Sequence, residues 1–263
     1  YLWHEPLATW INFKGSDWNT RNLGPQGNPA QQQFAPGRGY LVAYRNEQEN
    51  MAFSGAVHTE DIHWQNLSVT EAGNPDPATQ GWHLLGNPFA SALDWNHAGW
   101  ELNNIALTSK IWDEQARAYV DIYKNPGEGL PHIIPAAQGF FVQAVDAENQ
   151  ITIPASARVH ATQSWYKTTP AAEGIFLTAR QADQPKGQAF TVLFDPGAED
   201  AFNSLLDSRF LPGYAPRLYG QFGEEKASSK RLPPSEQTRS IALGFAHDKG
   251  GEMIIELNSA QLP

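Results

Sequence analysis

Short runs of apolar and aromatic residues, separated by Gly, Pro, Asn and Asp, recur along the whole chain. Such runs are typical of strands, and the residues between them are typical of turns. Helical spacing is found only at 200–209, through Phe202, Leu205 and Leu206, with a turn near 97–102. The pattern predicts an all-β protein, with strands at 39–44, 139–144, 150–154, 174–179, 188–194 and 252–257.

The distribution of tryptophan predicts two domains. All nine Trp precede residue 166, and none follows. A segment of Pro, Gly and small residues at 167–174 separates two strand-like stretches, as domain linkers often do. We therefore expect a Trp-rich domain at 1–168 and a second domain at 169–263, each an antiparallel β-sandwich.

A weak internal repeat is present in the first domain. Each copy has a Trp-His pair, an Asp-Trp-Asn triplet, a segment that ends in Gly and an aromatic residue, and a His followed by a Trp. In the first copy these are Trp3-His4, Asp17-Trp18-Asn19, 36–40 and His58 with Trp64. In the second copy they are Trp82-His83, Asp94-Trp95-Asn96, 135–140 and His160 with Trp165. The second copy would carry an insert around 100–125. The pattern indicates a duplicated β-unit, and chance matching of glycines and aromatic residues is the alternative.

The densest motif is the segment 81–95, which runs Gly-Trp-His-Leu-Leu-Gly-Asn-Pro-Phe before Leu93-Asp94-Trp95. The proline after Asn87 disfavours a helical backbone there, and the Asn side chain can cap a turn. We interpret the motif as a turn that fixes two core strands rather than as a ligand site.

This motif also carries a resemblance. Together with 111–113, 134–142 and 157–160, it resembles a β-rich region of large secreted proteins of Bacteroidota, near the sorting domain for type IX secretion. The second domain is similar to the usual neighbour of that region, at 192–198, 202–204, 215–219 and 242–245. The resemblance implies an extracellular or cell-surface β-module and no shared reaction or ligand.

Two departures accompany the resemblance. Phe89 stands where Tyr is also common, and the chain stops at 258–263, where a further strand and the sorting domain would follow. We therefore expect the second domain to be truncated at its C-terminus. The start at Tyr1, without Met or a signal-like segment, indicates the interior of a longer polypeptide.

Charge and composition exclude several function classes. A net charge of −10 argues against nucleic acid and anionic membranes as partners. No run approaches the ~18 apolar residues of a membrane span. The absence of Cys excludes disulfides, thiolate nucleophiles and Cys-ligated zinc. Charged residues make up only 17% of the chain, a neutral-polar composition that secreted β-proteins often have.

Aromatic residues around the proposed insert provide the candidate binding site. Aromatic faces stack on the C–H faces of sugars, while neighbouring Asn and Asp can bond the hydroxyls. Core packing is the alternative, since most Trp in β-domains are at least half buried. The predicted glycan platform comprises Trp95, Trp100, Trp112, Tyr119, Tyr123, Asp94, Asn96 and Asp113.

Catalytic and metal sites are less well supported. Asp113 or Glu114 with Asp121 or Glu128 could form the carboxylate pair of a glycosidase, but a charged hairpin tip explains them equally well. No nucleophile elbow, phosphate loop or His-Glu-x-x-His motif is present. We predict no cofactor. One structural Ca²⁺ at 17–19 or 94–96 competes with simple Asx-turns.

The sequence therefore predicts a non-catalytic extracellular module of a larger secreted or cell-surface bacterial protein. It would act as a spacer or attachment unit, with glycan or matrix binding. The first alternative is a dedicated carbohydrate-binding module with an aromatic platform, and the second is a glycoside-active enzyme. The expected partners are polysaccharide or extracellular matrix and the rest of the parent polypeptide.

Overall fold

A computed structural model describes residues 1–24, 34–43, 54–70, 77–125, 129–161, 172–235, 238–248 and 250–262. One short helix, α1 (Ser16–Thr20), and 3-10 turns at Glu5–Leu7, Pro77–Thr79 and Ala155–Ala157 lie among strands. The strands before residue 162 are β1 (Leu2–His4), β2 (Thr9–Ile11), β3 (Ile62–Gln65), β4 (Trp82–Gly86), β5 (Ala92–Asp94), β6 (Glu101–Asn103), β7 (Thr108–Asp113), β8 (Ala118–Tyr123), β9 (Ile133–Ile134), β10 (Gly139–Gln143), β11 (Gln150–Ile153) and β12 (Arg158–Val159).

The strands after residue 171 form the second part of the fold. They are β13 (Gly174–Gln181), β14 (Gln188–Phe194), β15 (Ser208–Arg209), β16 (Arg217–Phe222), β17 (Glu225–Leu232), β18 (Ala242–Ala246) and β19 (Met253–Gln261). The prediction of an all-β, sandwich-like protein is confirmed.

The first half contains several small antiparallel sheets. Strands β1 and β2 form a hairpin, and β4-β10-β7-β8 form a four-stranded sheet. The described part of this half also contains two three-stranded sheets, β3-β11-β6 and β12-β5-β9. Alternating side chains of the four-stranded sheet fill the main core on one face, because successive residues of a strand point to opposite sides. The core residues that this sheet contributes are Leu85, Phe140, Val142, Ile111 and Ile122.

The second half is one curled sheet in the order β18-β16-β17-β14-β13-β19, with β15 also paired to β17. Its pairs are antiparallel except β14 with β17. Phe190, Val192 and Leu218 lie in its own core. Among the described residues, no sheet combines strands from the two halves. The predicted boundary at 167–174 lies largely outside the described residues.

Five of the six predicted strands are confirmed, as β10, β11, β13, β14 and β19. The predicted strand at 39–44 is wrong for its described part, because that part forms no strand and only Arg38, just before it, bridges Leu85.

The predicted helix at 200–209 is also wrong. Asn203 Oδ1 accepts the backbone N–H of Leu205 at 3.0 Å, and Asp207 Oδ2 accepts that of Asn203 at 2.8 Å. These side chains hold a turn in place of a helix, and β15 begins directly after it.

The two copies of the proposed repeat agree only in part. Trp3-His4 lies in β1 and Trp82-His83 lies in β4, so both Trp-His pairs are in strands. Asp17-Trp18-Asn19 is helical, whereas Asp94 ends a strand. Trp165 lies outside the described residues. The second element of the repeat therefore adopts two different backbone conformations.

The Asn87 motif forms the expected structural turn. The buried Asn87 amide donates to the carbonyl oxygens of Ser91 and Pro135, each at 2.9 Å. Its Oδ1 accepts the N–H of Phe89 at 3.0 Å. One side chain thereby joins the end of β4 to the segments before β5 and β10.

Candidate binding site at the joint between the two halves

The outer face of the four-stranded sheet meets the second half of the chain. Directly paired residues of antiparallel strands point to the same side of a sheet. The register pairs Phe141 with Lys110, Lys110 with Asp121, and Trp112 with Tyr119. These five side chains therefore share the face opposite the main core. We call this face, with the residues of the second half that pack on it, the joint.

A buried polar network lies at the centre of the joint. Lys110 forms an ion pair with Asp121, and its Nζ donates to Ser208 Oγ at 2.8 Å and Ser228 Oγ at 2.7 Å. Ser228 Oγ in turn donates to Asp121 Oδ2 at 2.8 Å. Burial lowers the pKa of Lys110, and the Asp121 carboxylate opposes that shift. Two strands of the first half and two of the second thus share one network.

Apolar contacts lie on both sides of this network. Tyr123 clusters with Phe176 and Leu193 of the second half. On the other side, Trp82 and Phe141 cluster with Leu211. Burial of such residues from both halves stabilises their association, since apolar area is removed from water.

A row of edge-to-face aromatic rings runs along the joint. Successive ring centroids are 5.5, 5.9, 5.5, 5.1 and 5.7 Å apart. The Phe141 ring is buried, most others are half-buried, and Tyr214 of the second half is 72% exposed. We call this set the aromatic row; in order, it comprises Trp10, Trp3, Phe141, Tyr119, Trp112 and Tyr214.

Three aromatic residues of the predicted glycan platform are core residues instead. Trp95, Trp100 and Tyr123 are at most 5% exposed. The indole N–H of Trp95 donates to Leu107 O at 2.9 Å, and that of Trp100 donates to Asp94 O at 2.8 Å. Because their faces pack against protein, these rings offer no surface for a sugar. Only Trp112 and Tyr119 of the predicted platform lie in the aromatic row.

The polar residues of the predicted platform hold turns. Asp94 Oδ1 accepts the N–H of Asn96 at 2.8 Å, and Asn96 Oδ1 accepts that of Asn125 at 2.8 Å. Asp113 Oδ1 accepts the N–H of Gln115 at 2.8 Å. The Asp94 and Asp113 contacts are Asx-type turns, the alternative that the sequence left open for 94–96, whereas the Asn96 contact ties two separate segments together.

The carboxylates of the proposed catalytic pair have other partners. Asp121 is buried against Lys110, and Asp113 lies 3.8 Å from Lys186 Nζ. Glu114 Oε2 accepts the indole N–H of Trp112 at 2.7 Å, and Glu128 lies outside the described residues. Within the described ranges, no three His, Asp or Glu side chains are grouped as a metal site would require.

A shallow open crevice of about 10 Å³, with room for about one water molecule, lies at the exposed end of the aromatic row. It is formed where the β7–β8 turn meets the second half. Arg117, in the left-handed region at φ 52°, accepts at its carbonyl the N–H groups of Tyr214 and Ala215 at 2.8 and 3.0 Å. A side chain on Gly213 would lie 2.6 Å from that oxygen, so only glycine permits this approach. The crevice is lined by Gln115, Ala116, Arg117, Gln181, Gln184, Lys186, Tyr214, Ala215 and Pro216.

Sequence reasoning missed the half of this crevice that comes from the second domain. The predicted platform was centred on tryptophan, and the second domain has none. The available signal was the Pro212-Gly213-Tyr214 turn, which presents an aromatic residue beside a glycine.

Comparison with known proteins adds no assignment. No protein family, curated protein or solved structure matches the chain. Among the described residues, no helix is long and apolar enough to cross a membrane.

Proposed function

We propose that this chain is a non-catalytic module of a larger secreted or cell-surface protein, where it acts as a rigid spacer and attachment unit. The observation that carries the proposal is the joint, in which buried Lys110 and Asp121 bond Ser208 and Ser228 of the other half. The resemblance of segment 81–95 to modules of secreted proteins supports the extracellular setting.

Direct bonds across the joint support its rigidity. Leu107 N donates to Leu205 O at 2.8 Å, and the Arg231 guanidinium donates to Lys124 O at 3.0 Å. Domains of one chain move relative to each other by default, unless their interface is large and apolar. Here main-chain hydrogen bonds, a buried ion pair and apolar clusters all join the two halves. Such a joint holds the halves in one fixed arrangement, which a rigid spacer requires.

The experiment compares unfolding in the two halves. Intrinsic fluorescence reports the first half, because every Trp among the described residues lies there and the remaining one, Trp165, lies outside them. A dye on Leu243→Cys reports the second half, since position 243 is 45% exposed and the chain has no other Cys. We expect both signals to change at the same urea concentration. Separate transitions would contradict a single rigid unit.

The cellular setting needs its own measurement. A protease added to intact producing cells should remove an epitope inserted between the exposed Gly250 and Gly251, in the connection before β19 of the full polypeptide. If the protease removes the epitope only after the cells are lysed, the extracellular part of the proposal is overturned.

Glycan binding is the second candidate function, and the exposed Tyr214 ring at the end of the aromatic row favours it. Half-buried Trp112 lies beside it, with ring centroids 5.7 Å apart. A solvent-exposed ring held in place by a neighbouring ring is the feature that sugar stacking needs.

A further inference from the structure

The Tyr214 ring is placed as a stacking surface. Its centroid lies 5.8 Å from the Arg117 guanidinium and 5.7 Å from the Trp112 ring, which meets it edge to face. The backbone N–H of Tyr214 is bonded to Arg117 O. The ring is therefore fixed at its base and flanked by two groups, yet it is 72% exposed. A ligand that stacks here needs little rearrangement of the protein.

Amide side chains surround this ring. Gln115 comes from the β7–β8 turn, and Gln181 and Gln184 come from the second half. Each amide offers a carbonyl acceptor and two N–H donors. Among the described residues, none of these three amides bonds another protein group. Such amides beside an aromatic ring suit the adjacent hydroxyls of a sugar.

The charges in the crevice favour a carboxylated sugar. The Asp113 carboxylate is engaged by the β7–β8 turn and by Lys186, and Glu114 accepts the Trp112 indole N–H. The Arg117 guanidinium has no carboxylate partner among the described residues. In a chain of net charge −10, this guanidinium is a local positive charge. Arginine binds a carboxylate through two parallel hydrogen bonds.

We propose that the exposed surface over this crevice binds a single carboxylated sugar residue of an acidic polysaccharide, with Tyr214 stacking on the ring and Arg117 bonding the carboxylate. The crevice itself, at about 10 Å³, holds about one water molecule, so the sugar ring lies over it on the exposed face of Tyr214 and not inside it. The inference rests on the glycan-binding candidate and is independent of the rigid-spacer proposal.

The test is a calorimetric titration of the whole chain with oligogalacturonate and with its methyl-esterified form. We expect saturable binding of the acid, with at least tenfold weaker binding of the ester. Tyr214→Ala should weaken binding about tenfold, and Tyr214→Phe should restore it. Arg117→Gln should remove the preference for the acid, and Arg117→Lys should retain part of it.

Phe245→Ala is the matched control, because Phe245 is an aromatic residue 43% exposed on β18 and is not part of the crevice. Its binding should equal that of the unmodified chain. Absence of saturable binding to the acid, or equal binding by Tyr214→Ala, would overturn the proposal. Equal affinity for acid and ester would overturn the role of Arg117. If the two halves of Tyr214→Ala still unfold at the same urea concentration, the joint is intact, and weaker sugar binding then reports loss of the binding site alone.

Discussion

Replacing Lys110 by Met tests the energetic role of the joint. The side chains of Lys110 and Asp121 are 1% and 7% exposed. Lys110→Met leaves the Asp121 carboxylate buried with only hydroxyl donors, from Ser228 at 2.8 Å and Ser208 at 3.3 Å. Removing one partner of a buried pair costs about 3–5 kcal/mol, because a charge stays out of water without its counter-ion. We therefore expect a loss of that size in the free energy of unfolding.

The assay is urea unfolding followed by tryptophan fluorescence, with Lys14→Met as the control. Lys14 is exposed, so its replacement should change the unfolding free energy by no more than about 0.5 kcal/mol. The double variant Lys110→Met with Asp121→Leu removes both charges and should recover most of the loss. A cost below about 1 kcal/mol for Lys110→Met, or no recovery in the double variant, would refute the reasoning.

Three titratable groups give further predictions. Burial alone would raise the pKa of Glu5, but hydrogen bonds from the N–H groups of Gly81 and Thr70 hold this pKa below 4.5. Stability should therefore fall as pH drops through the folded pKa. The urea midpoint of Glu5→Gln should fall less over the same pH range. Burial lowers the pKa of His83, so the unfolded chain takes up a proton before the folded chain as pH falls below 6.5. This proton uptake favours the unfolded chain and lowers stability, and His83→Gln should reduce that loss. Burial, and then Tyr214, raise the pKa of Tyr119 to about 12. Stability should therefore fall as pH rises from 10.0, and because burial also raises the pKa of Tyr123, Tyr119→Phe should reduce this loss and remove one late step in an ultraviolet titration.

Each of these has a direct contradicting result. If Glu5→Gln loses as much stability at low pH as the unmodified chain, the hydrogen bonds from Gly81 and Thr70 do not favour the ionised carboxylate. A loss of stability below pH 6.5 that is unchanged in His83→Gln would contradict the lowered pKa of His83. Ionisation of every tyrosine near pH 10.0 would contradict the burial of Tyr119.

The strands could be predicted because their cause is local. Segments such as 139–143 and 188–194 combine aromatic or β-branched residues with flanking turn residues. The helix at 200–209 failed for a tertiary reason, since buried Asp207 is paired with Lys230 of β17 at 2.9 Å and also holds the turn at Asn203. A helical spacing of apolar residues does not reveal that partner.

The candidate site shows the same division. Trp95 and Trp112 look alike in sequence, as aromatic residues beside Asp, yet the first is fully buried and the second lies half-buried in the aromatic row. The difference follows from which face of which sheet each occupies, and from what covers that face. No local pattern records this.

The sequence by itself determined the all-β class, most strands and the Asn87 turn, because strand propensity and turn chemistry act over a few neighbouring residues. Only the tertiary structure decided that Lys110 would meet Ser208 and Ser228, and that Tyr214 would end an aromatic row begun in the first half. These partners are about a hundred residues apart in sequence. Their contact depends on the packing of whole sheets, where burial and hydrogen-bond satisfaction across the joint select one arrangement.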